Sequence, residues 1–87
     1  MTTSNIRMYG TKWCGDCRRA RQFFYDYDIE FEWIDIDQDQ QAEQIVRSVN
    51  HGMRVVPTII FEDGSILVEP SYLQLAQKFK IDLNPID

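Results

Sequence analysis

The stretch Ile6-Arg7-Met8-Tyr9-Gly10-Thr11-Lys12-Trp13-Cys14-Gly15-Asp16-Cys17 decides the fold of this chain. Its first four residues alternate between apolar and polar side chains and stop at a glycine, which is typical of a short strand. After Trp13 the period changes, because apolar residues recur at the spacing of one helix face. Those residues are Cys17, Ala20, Phe23, Phe24 and Tyr27. We therefore predict a strand followed directly by a helix over about residues 15–27, with both cysteines at the junction.

Outward from this junction, the sequence predicts a second strand and a second helix. Residues 31–35 have strand composition, with Ile36 as an extension. Asp37 or Asp39 can cap the helix that follows, since a carboxylate accepts hydrogen bonds from the free N–H groups of a helix start. The predicted buried stripe of this helix is Ala42, Ile45, Val46 and Val49. Asn50-His51-Gly52 ends it.

The C-terminal part predicts a hairpin and a last helix. Residues 57–61 are apolar and β-branched, and Asp63-Gly64 turns the chain into a strand over residues 66–68. Pro70-Ser71 opens the helix, and residues 82–87 form a loose tail. The inward positions of this helix are predicted to be Leu73 and Ala76, together with Leu75 and Phe79.

The predicted order is β-α-β-α-β-β-α, which is an α/β fold. A strand–helix–strand start implies a parallel pair with a right-handed crossover, and the hairpin adds antiparallel strands. We therefore expect a four-stranded mixed sheet with helices on both faces. Residues 1–87 are expected to form a single domain, because a chain of 87 residues has no room for a second core.

Composition and charge exclude several classes of protein. With 44% hydrophobic and 26% charged residues the chain is an ordinary globular one, and its net charge of −5 argues against binding to nucleic acid or acidic membranes. No apolar run could span a bilayer, and the first residues lack a signal-peptide pattern. We expect a cytoplasmic monomer.

Residues 1–21 carry five bases and one acid, whereas residues 22–46 carry eight acids and no base.

The two cysteines carry the chemistry. Cys14 falls at the helix start, where unpaired N–H groups and the helix dipole favour an anion, and Lys12, Arg18 and Arg19 add positive charge. We expect a Cys14 thiolate that attacks disulfides and a more buried Cys17, one turn on, that resolves the mixed disulfide. The negative charge of Asp16 acts against the stabilisation of a Cys14 thiolate by these cations. Two alternatives remain: a metal site shared across a dimer, with His51 as the sole further soft ligand, and inert structural cysteines. No metal site within one chain is predicted.

Five motifs in order resemble the glutaredoxin family of the thioredoxin-like superfamily, and in particular the mycoredoxins and related glutaredoxin-like proteins of actinobacteria. They are Trp13-Cys14-Gly15-Asp16-Cys17, Ser48-Val49-Asn50 with Gly52 and Arg54, Val56-Pro57-Thr58, Asp63-Gly64-Ser65 and Pro70-Ser71. The resemblance extends from about Ile6 to Phe79. It implies a thioredoxin-like fold and a thiol–disulfide oxidoreductase that reduces protein disulfides or mixed disulfides. It also implies a low-molecular-weight thiol, mycothiol or glutathione, as co-substrate and no tightly bound cofactor.

The resemblance also implies a thiol-binding surface around Cys14. Pro57 would be cis, so that the backbone of Val56 faces Cys14 and can pair with an extended thiol peptide. Lys12 would meet a carboxylate of the thiol, Trp13 would lie at the edge of the site and Ser71 would belong to the same pocket. The ordinary alternatives are a strand-opening proline, a solvated lysine and a core tryptophan.

The sequence departs from typical glutaredoxins at two places. Gly15-Asp16 replaces Pro-Tyr between the cysteines, and Val68-Glu69-Pro70-Ser71 replaces a Gly-Gly…Asp segment. These departures argue against tight glutathione binding and fit mycothiol or a protein reductant. Two other functions stay open: an electron donor recharged by thioredoxin reductase, for example toward ribonucleotide reductase, and an Fe–S cluster carrier working as a dimer.

Two charged features have competing interpretations. Arg54 could steer anionic substrates or form an ion pair with the acidic segment. The acidic residues 26–43 could be a solvated face or a docking surface for a basic partner.

Overall fold

The structure, a computed structural model, describes residues 5–83. Most of the predicted tail at residues 82–87, and the first four residues, lie outside this range. The elements follow the predicted order. They are β1 (Arg7–Gly10), α1 (Gly15–Asp26), β2 (Glu32–Asp35), α2 (Gln40–Val49), β3 (Thr58–Ile60), β4 (Ile66–Val68) and α3 (Tyr72–Lys78).

The four strands form one mixed sheet in the order β2-β1-β3-β4. β1 pairs in parallel with β2, whereas β1–β3 and β3–β4 are antiparallel. β1 is therefore a central strand, and its C-terminal end leads directly into the segment that contains both cysteines. The predicted mixed sheet is confirmed.

Helices cover both faces of this sheet, as predicted. Successive residues of a strand point to opposite faces, so Met8 belongs to one cluster of buried side chains and Tyr9 to the other. The first cluster packs α1 and α3 against the sheet through Phe23, Phe24 and Leu75. The second packs α2 through Ala42 and Val46.

The start and the buried face of α2 differ in part from the prediction. Asp39 is the N-cap, because its carboxylate accepts the N–H of Ala42 at 3.0 Å, so the alternative cap Asp37 is wrong. The prediction that Ile45 is buried is also wrong, since its side chain is 38% exposed. Ala42 and Val46 lie one turn apart on the line that faces the sheet, and Ile45 is about 60° around the helix from Ala42. The narrow sheet does not reach that far.

The predicted inward face of α3 is wrong at Leu73, which is 56% exposed. The physical reason is the helix start: Ser71 is the N-cap, and the positions that face the core are then 72, 75, 76 and 79. Leu75 and Ala76 are buried, and Tyr72 and Phe79 pack against the same cluster. Within residues 5–83, no helix combines the length and the apolar character that crossing a membrane requires.

Candidate active site

Cys14 is the N-cap residue of α1. Its backbone is extended (φ −90°, ψ 118°), and its sulfur accepts a hydrogen bond from the backbone N–H of Cys17 at 3.1 Å. This is the place that a serine or aspartate oxygen occupies at an ordinary helix start. The free N–H groups and the dipole of a helix start favour negative charge at such a position.

Cys17 has a different environment although it lies only one turn further on. Its side chain is fully buried, whereas Cys14 is half-buried. Burial, followed by a hydrogen bond to Cys14, raises the pKa of the Cys17 thiol to about 12, and the backbone of Thr11 and the charge of Arg21 oppose this only in part. Cys17 is therefore a neutral thiol at physiological pH, as the predicted contrast between the two cysteines requires.

The segment before β3 approaches Cys14 from the other side. The Val56–Pro57 peptide bond is cis, and the Cys14 thiol donates to the carbonyl oxygen of Val56 at 3.8 Å. The N–H of Glu69 donates to the carbonyl of Pro57 at 2.9 Å. Cys14, Val56 and Pro57 thus meet in space, and the segment that precedes α3 lies beside them.

Two side chains hold this segment in place, and the sequence motifs gave them no role. The hydroxyl of Thr58 donates to the carbonyl of Val55 at 2.8 Å. The Asn50 amide bridges the end of α2 and β3, because its nitrogen donates to Val46 O at 2.8 Å and to Thr58 Oγ1 at 3.1 Å. The signal that could have found them is an Asn in a helix-ending Asn-His-Gly, where a side-chain amide often satisfies the last carbonyls.

The charges around the site are partly engaged. Arg19 forms an ion pair with Asp16 at 2.8 Å, so the one carboxylate between the cysteines is neutralised by a neighbour on the same helix. Lys12 and Arg18 are exposed. Arg54 binds the carboxylates of Asp37 and Glu43, which confirms the ion-pair interpretation of this residue.

The remaining predicted site residues stand as follows. Trp13 is 91% exposed, which excludes the core alternative. Ser71 is exposed and belongs to a capping box: its hydroxyl oxygen accepts the N–H of Gln74 at 3.0 Å, and its own N–H donates to the Gln74 side chain at 2.8 Å. Its backbone donor is therefore already engaged, and only its hydroxyl proton is left for a ligand.

Gly10 is packed against Cys17 and Trp33, which the sequence analysis did not predict. A Cβ atom on Gly10 would stand 2.6 Å from Cη2 of Trp33 and 2.7 Å from Sγ of Cys17, so both side chains occupy the space beside this glycine. The guanidinium of Arg21 lies 4.3 Å from the centre of the Trp33 ring, in a cation–π contact. A glycine that ends the strand before the cysteine motif was the available signal for close packing.

Comparison with known proteins decides the family. The sequence model of the glutaredoxin family matches residues 6–66. This chain belongs to the glutaredoxin family. It is 41% identical over 71 residues to a Mycobacterium tuberculosis protein named "Putative glutaredoxin Rv3198A", covering 82% of this chain and 84% of the relative. It is 36% identical over 77 residues to mycoredoxin 1 of Corynebacterium glutamicum, covering 88% and 95%.

Solved structures agree on the fold of this glutaredoxin family member. The glutaredoxin of Archaeoglobus fulgidus superposes with a TM-score of 0.70 at 22% identity, covering 88% of this chain and 87% of that one. The glutaredoxin of Methanosarcina mazei gives 0.70 at 20% identity, covering 86% and 77%. The fold is thioredoxin-like, as the resemblance implied.

Membership of the glutaredoxin family establishes the chemical class. The protein is a thiol–disulfide oxidoreductase, and the family acts on protein disulfides together with small thiols. Among residues 5–83 no three His, Cys, Asp or Glu side chains are grouped so that they could hold a metal ion. The arrangement of the cysteines, one accessible at a helix start and one buried behind it, suits stepwise disulfide exchange.

Proposed function

We propose that Cys14 is the nucleophile that releases proteins from mixed disulfides with a small thiol, and that this thiol is mycothiol. The observation that carries the proposal is the sulfur of Cys14, which accepts the Cys17 N–H at 3.1 Å and is accessible where the Cys17 sulfur is not. A helix N-cap position stabilises the negative charge of the attacking sulfur.

The first step exchanges one disulfide for another. The Cys14 thiolate attacks the small-thiol sulfur of a protein mixed disulfide, the protein leaves as a thiolate, and Cys14 becomes bonded to the small thiol. A second small-thiol anion then attacks that sulfur, which yields the oxidised small-thiol dimer and regenerates the Cys14 thiolate. Over the whole cycle the target cysteine is reduced to a thiolate, the small thiol is oxidised to its disulfide, and Cys14 returns to its starting state.

Cys17 offers a second, slower exit from the intermediate. Its attack on Cys14 would form a Cys14–Cys17 disulfide and release the small thiol as an anion. The attack first needs Cys17 to lose its proton, and burial, which the intermediate retains, raises the pKa of this thiol. We therefore propose that a second small thiol, rather than Cys17, completes most turnovers.

The proposed thiol-binding surface consists of Lys12, Trp13, Val56, Pro57 and Ser71. The Val56 carbonyl lies 3.8 Å from the Cys14 sulfur, which supports pairing of the Val56 backbone with an extended ligand. The exposed indole of Trp13 offers an apolar wall. The Lys12 ammonium can donate to a hydroxyl oxygen of the sugar and inositol part, and the Ser71 hydroxyl can donate to a ligand oxygen.

Glu69 favours mycothiol over glutathione. Its N–H donates to Pro57 O, so this exposed carboxylate belongs to the segment beside the proposed surface. It repels the carboxylates of glutathione, whereas the sugar and inositol part of mycothiol is uncharged. The match to a relative named mycoredoxin 1 points the same way.

The test is NADPH consumption with a protein mixed disulfide in three parallel reactions. They are recharged by mycothiol and its reductase, by glutathione and its reductase, or by thioredoxin reductase alone. We expect turnover with mycothiol, no turnover by Cys14→Ser, and turnover retained by Cys17→Ser. Glu69→Gln should raise glutathione-dependent kcat/KM by about two- to fivefold and leave the mycothiol reaction unchanged, with Glu62→Gln as the matched control.

Other outcomes would replace this proposal. Turnover only with thioredoxin reductase would make the protein a thioredoxin-like electron donor, for example toward ribonucleotide reductase. Loss of mixed-disulfide turnover in Cys17→Ser would assign the resolving step to Cys17. If none of the three reactions consumed NADPH and the protein purified anaerobically as a coloured dimer, the result would favour a function as an Fe–S cluster carrier.

A further inference from the structure

An open groove lies beside the edge strand β2, at the opposite end of α1 from Cys14. Its volume is about 720 Å³. Phe24 and Tyr25 from the end of α1 and Phe31 and Trp33 from the region of β2 form its apolar walls. Ten residues of helix, or about 15 Å, separate Cys14 from Phe24 along α1. We call this feature the β2 groove.

Tyr25 is the exposed aromatic side chain of the β2 groove. Its side chain is 64% exposed, and its ring centre lies 5.7 Å from that of the partly buried Phe31, which in turn lies 4.9 Å from that of the buried Phe24. The Tyr25 ring therefore stands on a rigid aromatic base and is free to contact another molecule.

The backbone of β2 can bind an extended segment. β2 is at the edge of the sheet. Glu32 donates its N–H to Ile6 and Ile36 donates to Gly10, so the alternate residues 32, 34 and 36 bond to β1, and Trp33, next to Glu32, directs its own N–H and C=O away from β1. A strand added at this edge would pair with Trp33 and lay alternate side chains into the groove.

The charge of the rim selects the kind of partner. The groove lining includes three acidic residues, Asp28, Glu30 and Glu32, and no lysine or arginine. Arg21 covers the Trp33 ring without being part of the lining. A second copy of this chain would bring the same acids and a net charge of −5 to the contact, and nucleic acid or an anionic lipid surface would be repelled.

We propose that the β2 groove binds an extended segment of a partner protein in which apolar side chains alternate with lysine or arginine. The apolar side chains enter between Tyr25 and Trp33, and the basic ones meet the acidic rim. The Cys14 sulfur remains accessible, because Cys14 is at the N-terminal end of α1 and Tyr25 near its C-terminal end; Trp33, whose ring also lies beside Gly10 and Cys17, is the one wall that reaches toward the cysteine motif. The inference therefore does not depend on which thiol recharges Cys14.

The probe is a fluorescein-labelled heptapeptide of alternating lysine and valine, compared with one of alternating glutamate and valine. Binding is measured by fluorescence anisotropy and mapped by amide chemical shifts. We expect saturable binding of the lysine peptide alone, with shifts confined to residues 24–33. Tyr25→Ala should weaken it at least about fivefold, and Glu32→Gln about two- to fivefold at low salt.

Matched controls distinguish the effect of the groove residues from the effect of removing any exposed apolar side chain or any surface carboxylate. Leu73→Ala removes an equally exposed apolar side chain on α3, and Glu69→Gln removes an exposed carboxylate on the far side of the sheet; neither should change the affinity by more than about twofold. Circular dichroism confirms that each variant is folded. The proposal would be overturned if the lysine peptide showed no saturable binding, if the glutamate peptide bound equally well, or if Tyr25→Ala left the affinity unchanged. It would also be overturned if sedimentation showed a dimer of this chain and the chemical-shift changes of that dimer mapped to β2.

Discussion

At the scale of single residues, the two cysteines of the motif differ in their surroundings and not in their side chains. Cys14 and Cys17 have the same side chain and sit on one helix, yet the first caps the helix and the second is enclosed behind it. The enclosure depends on Gly10, since only a residue without a Cβ leaves the space beside it to the Trp33 indole and the Cys17 sulfur. The glycine is thus part of the site although it touches no substrate.

We expect Gly10→Ala to lower the free energy of unfolding by about 1–3 kcal/mol, because the added methyl overlaps Trp33 and Cys17 in a packed region. Urea unfolding measures the loss, and the emission of Trp33 should shift. Gly15→Ala is the matched control. Nothing lies within 4 Å of a Cβ at Gly15, and alanine in a helix should leave stability unchanged or raise it by up to about 1 kcal/mol. Equal effects of the two substitutions would contradict the packing argument.

At the scale of elements, side-chain caps fix where helices and turns begin. Asp39 caps α2, Ser71 and Gln74 form a capping box on α3, and Asp63 closes the turn between β3 and β4. The Asp63 carboxylate accepts the Ser65 hydroxyl at 2.6 Å and the Ser65 N–H at 2.9 Å, and Lys78 of α3 reaches it at 3.3 Å. The hairpin is thereby tied to the last helix.

The charge on Asp63 should give the fold a measurable acid dependence. The Ser65 hydroxyl first, then the Ser65 N–H and Lys78, lower the pKa of this carboxyl from 3.8 to about 2. Because the folded-state pKa is depressed, the stabilisation is present above about pH 4 and is lost as the pH falls toward 2. Asp63→Asn should therefore lower Tm at pH 7, and the difference from the parent protein should disappear near pH 2.

Thermal unfolding followed by circular dichroism at a series of pH values measures this difference. Glu62→Gln, which removes the adjacent exposed carboxylate, should change Tm much less at pH 7. If the deficit of Asp63→Asn were equally large at pH 2, the amide would be disturbing the turn itself, and the electrostatic account would be wrong.

The elements also show how far the sequence could predict the structure. Periodicity and the Asp-Gly signal located every strand and helix to within a residue or two, because those signals are local. Ile45 and Leu73 were misplaced because burial depends on how far the sheet extends and on the residue at which a helix begins. The approach of Val56 to Cys14 was reached only through the family resemblance, since the two residues are 42 positions apart. The packing of Trp33 and Cys17 against Gly10 had no signal beyond the glycine itself.

At the scale of the whole molecule, the sheet connects two core clusters that would otherwise be separate. Met8 faces the aromatic cluster under α1 and α3, and the adjacent Tyr9 faces the smaller cluster under α2. β2 and β3 also contribute to both clusters, Trp33 and Ile59 to the first and Ile34 and Ile60 to the second, so a cavity on one face is transmitted to the other through the sheet. We expect the described chain to unfold as one cooperative unit, as the single domain predicted from the sequence requires.

Val46→Ala tests this expectation from the α2 face. Val46 is fully buried, and the loss of two methyl groups should lower the free energy of unfolding by about 2 kcal/mol. The indole of Trp33 packs on the opposite cluster, so in a Trp13→Phe background, which removes the other, exposed indole, tryptophan fluorescence reports a face that the substitution does not touch. If the molecule is cooperative, the urea midpoints from Trp33 fluorescence and from far-ultraviolet circular dichroism fall together, with an unchanged m-value. A Trp33 midpoint that stayed at the parent value would mean that α2 unfolds by itself, and the loop between α2 and Val56 could then move without disturbing the rest of the sheet.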